Sequence, residues 1–277
     1  MAVLSVKVER PSVGRVVLGC AAVLGTVPYL VLKVSWLTGG TVGLNDPEFV
    51  RTPLMYAGNA LTGLLDLAAV VVALALTLPW GLRLPGWLVL FPAWVGLGLL
   101  VPIVAAAPVA IGQFLGGEVP ADLPLKDWVW AVVYGGFAWQ GLALGAAFLL
   151  YARRRWPGAF APRAARSRLG WAGIAVAVAG LAGWLVLAPM DLLGWLLAAG
   201  TVLAIAGTLG RSAVALAAAW AGSGMLFGWG GWTLLTGAAV RLPAGEISVG
   251  HLAVCAIQVL AGVLLGLALR RGLMHTS

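Results

Sequence analysis

The sequence predicts an all-α polytopic membrane protein, a bundle of about eight transmembrane helices. Three observations carry that prediction. Of 277 residues 62% are hydrophobic and 9% charged, with a mean hydropathy of +1.02, which lies outside the range of soluble domains. Eight apolar stretches come close to the roughly 20 residues that cross a bilayer. Lysine and arginine collect in every second connection, the bias that sets helix orientation.

The first span, 13 to 35, follows a basic start and could be taken for a signal peptide. It runs long and holds Pro28, Tyr29 and Lys33 near its far end, so it reads as an uncleaved helix. The second, 54 to 78, carries Asp66 near its midpoint, and the third covers 87 to 107. Segment 108 to 127 is rich in Gly and Pro and is expected to interrupt the helix as a lid or re-entrant piece. The fourth span, 128 to 151, leads to the basic loop 152 to 168. The fifth and sixth, 169 to 188 and 191 to 210, are separated only by "APMDLLG", so seven spans with one broken helix is the alternative. The seventh and eighth cover 212 to 236 and 249 to 269. A single transmembrane domain is expected, with halves 1–151 and 169–277 raising the idea of a parallel 4+4 repeat. Within it, Gly224 with Gly228 and Gly262 with Gly266 have the spacing that lets helix backbones approach.

Eight crossings with both termini cytoplasmic leave Arg15, Arg83, Arg153, Arg154, Arg155, Arg211 and Arg270 inside and only Lys33, Arg51, Lys126 and Arg241 outside. The net charge of +8 thus expresses topology in a multi-pass plasma-membrane protein, not nucleic-acid binding. Lys33, on one face with Thr26, Tyr29 and Trp36, is expected to snorkel outward and pair with Asp46 or Glu48. Cys20 and Cys255 sit at different depths, which argues against a disulfide and against a metal site. The phosphate-loop, dinucleotide, zinc-protease and nucleophile-elbow patterns are all missing, and no paired acidic clusters suit a metal-bound diphosphate. No cofactor is expected.

Chemistry therefore centres on the polar residues within the spans. Asn59, Thr62 and Asp66 recur at offsets of three and seven and share one helical stripe. His251, Cys255 and Gln258 in the last span repeat the pattern, the fourth carries Gln140 beside Trp139, and Asp66, Gln140 and Gln258, at similar depth, are expected to line one cavity or meet in one hydrogen-bonded cluster. An ionised aspartate at mid-bilayer costs roughly 2.5 to 3.5 kcal/mol on insertion scales. Protonating it at neutral pH costs about 4 kcal/mol. With no cation expected at that level, an amide and aromatic setting favours a neutral acid able to donate its proton. The structural alternative is an aspartate that merely bonds a neighbouring helix. Trp94, Trp139, Trp220 and Trp229 lie deeper than the interfacial tryptophans and, with Tyr134, Phe137 and Phe227, could line a cavity whose ring faces stabilise a cation. Core packing is their alternative.

The layout of eight spans, with "VPYLVLKVSWLTGGTVGL" closing the first, resembles the actinomycete integral-membrane terpene cyclases of the drimentine and xiamycin type. The resemblance implies a cyclase that protonates an alkene or epoxide of a linear, farnesyl-type prenyl substrate and closes rings through carbocations without a metal. On this expectation Asp66 is the acid and Asn59 and Gln140 tune it. The aromatic residues, with Gln258, hold the substrate, while Glu246 and Asp191 are candidate terminating bases. A proton-coupled transporter or channel-like protein is the second expectation. A non-catalytic membrane partner whose arginine-rich loop docks another protein or anionic lipid is the third.

Overall fold

The computed structural model describes residues 12–116, 124–160, 167–187, 191–237 and 247–274. Its helices are α1 (Val13–Leu37), α2 (Pro53–Thr77), α3 (Gly86–Leu115), α4 (Asp127–Arg155), α5 (Arg168–Leu187), α6 (Leu192–Leu209), α7 (Ala213–Thr236) and α8 (Val249–Met274). All eight are long and apolar enough to cross a membrane. The fold is an all-α polytopic bundle.

Local chemistry sets the helix limits. Thr52 caps α2, its hydroxyl accepting from the Met55 amide, with Pro53 at the first helical position. Asp191 caps α6 by accepting from the Gly194 amide at 2.7 Å, which makes α5 and α6 separate helices and gives eight spans instead of seven. The helix α3 departs from expectation: it passes through Pro108 and ends at Leu115, taking up the start of the expected lid. A proline with apolar neighbours is tolerated inside a membrane helix. Val109, Ile111, Phe114 and Leu115 in this extension expose their side chains, as residues bathed in lipid do. The helix α4 likewise runs four residues past its expected end, placing Arg153, Arg154 and Arg155 on its last turn, where cations complement the helix dipole.

The chain divides into two compact units, and this division differs from the expected halves. The first comprises Met1–Ala93 and Glu118–Arg155, the second Trp94–Gly117 and Trp156–Ser277. In the first unit α1 packs extensively against both α2 and α4, which touch each other only sparsely. Leu44 and Leu125 form an isolated antiparallel bridge at its end, over a core of Leu32, Trp36, Val50 and Val129. In the second unit α7 packs on α6 and α8, and α8 on α5. The larger part of α3 belongs there because glycines bring it onto α7: a Cβ on Gly98 would lie 2.2 Å from the Gly224 backbone. Gly228 meets Leu99, while Gly262 and Gly266 meet α7 and Trp94, so both of these small-residue pairs serve close packing.

Candidate functional site

The first unit brings Asp66 and Gln140 together. Gly25 on α1 and Gly136 on α4 allow the two backbones to approach, and a Cβ on Gly25 would lie 3.2 Å from the Gln140 Cβ. This contact sets Gln140 in the interior, where its Nε2 donates to Asp66 Oδ1 at 3.2 Å. Both side chains are buried. Asp66 Oδ2 and Gln140 Oε1 have no hydrogen-bond partner among the described residues. As a carboxylate, Asp66 would leave two buried acceptors without a donor, a costly arrangement. A single proton on Oδ2 supplies the donor that this pair lacks.

Asn59 and Lys33 form a separate pair two helical turns away. Lys33 is 8% exposed, and its Nζ donates to Asn59 Oδ1 at 2.6 Å while facing the rings of Tyr29 and Trp36 at 4.5 and 4.9 Å. It therefore does not snorkel outward. The stripe that carries Thr26, Tyr29 and Trp36 turns into the unit, and the expected carboxylate partners are engaged elsewhere: Asp46 accepts from the Glu48 amide and Glu48 pairs with Arg51. Asn59 accordingly serves Lys33, and Thr62 returns its hydroxyl to the Gly58 carbonyl of its own helix.

One turn from Gln140 toward the Lys33 end lies an aromatic group. Tyr29 meets Phe137 edge-on at 4.8 Å, Phe137 meets Tyr134 at 6.4 Å, and Tyr134 stacks on Trp130 at 6.0 Å. Sequence patterning does not select Tyr29 and Trp130 for binding. Tyr134 and Phe137 are the members that the sequence does select, and the helical period linking Tyr29, Lys33 and Trp36 is the signal that points to Tyr29.

Compared with family models, with curated proteins and with solved structures, the chain has no match. The chemistry of the site therefore rests on its own geometry.

The remaining candidates have other settings. Trp139 is 56% exposed and its indole donates outward from the site, to the Ala21 carbonyl at 2.9 Å. Trp94, Trp220, Phe227, Trp229 and Gln258 belong to the second unit. There Trp94 stacks on Phe227 at 4.9 Å and donates to Ser223, and Trp229 donates to the Leu99 carbonyl. Gln258 is buried beside Gly180 and Gly230, and Trp220 is half-buried. His251 meets Trp184 edge-on at 5.1 Å. Asp191 is an exposed helix cap and Glu246 lies outside the described residues. No group of three or more metal-ligating side chains occurs among the described residues.

Polarity ends at Asp66. From there to Thr77 the chain rises about 16 Å. Along that distance the buried side chains of the three helices are small or apolar, among them Ala22, Ala73, Leu144 and Ala147. Beyond them comes a second polar level, where the Arg15 guanidinium donates to the Leu76 carbonyl and Tyr151 and Arg155 donate to the Gly81 carbonyl.

Proposed function

We propose that the chain is an integral-membrane, metal-independent cyclase that protonates a linear prenyl substrate of the farnesyl class, with its basic end toward the cytoplasm. The observation that carries this reading is the buried Asp66–Gln140 pair, in which one carboxyl oxygen and the amide oxygen have no donor among the described residues. In the first step the Asp66 O–H bond breaks and a C–H bond forms at the alkene terminus. The neighbouring π electrons then close the ring, and the resulting cation ends by losing a proton to water, from which Asp66 takes one back before the next cycle, so that substrate and product are isomers.

Three further features support it. Tyr29 and Phe137 place aromatic rings about one turn from Gln140, and a developing cation gains wherever it meets a ring face. α2 and α4 pack on each other only sparsely, and on this reading an apolar chain enters between them. The apolar stretch from Asp66 to Thr77 favours a one-sided acid site over a proton conduit, which needs polar groups along its whole length. The chain's own part is to hold the proton at Oδ2 in a dry setting and to orient it through Gln140.

The experiment is incubation of membranes holding the full chain with farnesylated and geranylgeranylated acceptors, comparing wild type with Asp66→Asn. Cyclised product should fall at least about 100-fold in the variant, the lower bound for losing a general acid. Undiminished product would remove Asp66 from the mechanism, and no turnover of any prenyl substrate by the wild type would remove the cyclase reading.

A further inference from the structure

A groove of about 260 Å³ opens on the first unit, on the side of α2 away from Asp66. Ala68, Val71 and Ala75 of α2 form one wall, and Trp80, Leu84 and Leu88 help to form the other. At 100° per residue these α2 positions lie about half a turn round the helix from Asp66, so the groove is separate from the acid pair.

The groove is prebuilt. The turn Pro79–Leu82 lies so close to α2 that a Cβ on Gly81 would fall 1.7 Å from the Ala75 carbonyl oxygen. Tyr151 holds the same turn through the Gly81 carbonyl at 2.9 Å, and Arg155 donates to the carbonyls of Gly81 and Leu84. The wall that carries Trp80 and Leu84 is thus pinned to α4.

Charge identifies the occupant. The lining is apolar, which suits a hydrocarbon chain, whereas Arg83, exposed, stands in the chain between the groove residues Trp80 and Leu84. The Arg83 amide donates to the Trp80 carbonyl, fixing the backbone there. Arg153 and Arg154, also exposed, and Arg155 lie on the last turn of α4, whose end is tied to the same segment. A tryptophan at a membrane interface with arginine beside it matches a phospholipid at the headgroup boundary.

We propose that this groove is a binding site for an anionic phospholipid, with one acyl chain against Ala68, Val71 and Leu88 and the phosphate at Arg83. The site selects by headgroup charge, unlike the general lipid annulus.

The test uses the full chain purified in micelles containing equal amounts of dioleoyl phosphatidylglycerol and dioleoyl phosphatidylcholine, with retained lipid read by native mass spectrometry. Wild type should retain the anionic lipid roughly fivefold over the zwitterionic one, the preference that one surface arginine confers. Arg83→Gln should bring the ratio toward parity, and Ala68→Trp, which fills the groove, should lower retention of both lipids. Both positions are exposed, and unchanged thermal melting would verify that the fold survives. Equal retention of the two lipids by wild type would overturn the proposal, as would an undiminished preference in Arg83→Gln or undiminished retention in Ala68→Trp. Excess inorganic phosphate that displaces the lipid from wild type would also overturn it, by assigning the arginines to a free anion.

Discussion

Among the buried ionisable residues of α1, α2 and α4, Asp66 and Lys33 are held apart by two helical turns. Each takes an amide as its partner, Gln140 for the acid and Asn59 for the amine. That choice differs from a buried ion pair, which would fix both charges and leave no proton to give. If the Lys33–Asn59 contact carries energy, Lys33→Met and Asn59→Leu should each destabilise the protein by about 1 to 3 kcal/mol, because each strands a buried polar group. The double variant should then be less destabilised than the sum, with a coupling of about 0.5 to 3 kcal/mol. Unfolding in micelles measures both; strictly additive losses would show that the pair carries no interaction energy. Asp66 itself is legible in the sequence because a carboxylate inside a long apolar run is conspicuous. The setting of Lys33 is not, because a lysine near a helix end suggests snorkelling. Only the packing of α1 against α2 and α4 shows which way that stripe turns.

At the scale of elements, glycines determine where helices meet. Gly81 is the sharpest case, since its contact with the Ala75 carbonyl leaves no room for a side chain. Gly81→Ala should cost about 1 to 3 kcal/mol through overpacking. Gly58, where an added Cβ would meet nothing within 4 Å, should instead gain up to about 1 kcal/mol from Gly58→Ala. Thermal melting of the two variants side by side checks the contrast, and equal losses would contradict it. The spans are legible because apolar length is a strong signal, whereas the separation of α5 from α6 stays open in the sequence and is decided by the cap at Asp191. The extension of α3 past Pro108 is not legible, since proline and glycine read as helix breakers by rules drawn from water. Nor can spacing separate the aromatic residues of the first unit from those of the second, because periodicity assigns a face and says nothing of the neighbour.

At the scale of the whole molecule, one end of the first unit is basic and the other carries the short bridge between Leu44 and Leu125. With eight crossings, a cysteine placed at Thr41 should react with an impermeant thiol reagent added outside intact cells, in a background lacking Cys20 and Cys255, while one placed at Arg211 should not. Labelling of both, or of Arg211 alone, would contradict the topology. The two-unit division gives the acid site to α1, α2 and α4 and leaves most of the deeper tryptophans to the packing of the other unit. The central claim is that Asp66 delivers a proton to a prenyl chain, and turnover in heavy water tests it most directly. A cyclase of this kind predicts a product from wild type carrying one deuterium at the carbon first protonated, and none formed by Asp66→Asn. Product without deuterium, or deuterated product formed equally well by Asp66→Asn, would contradict the account.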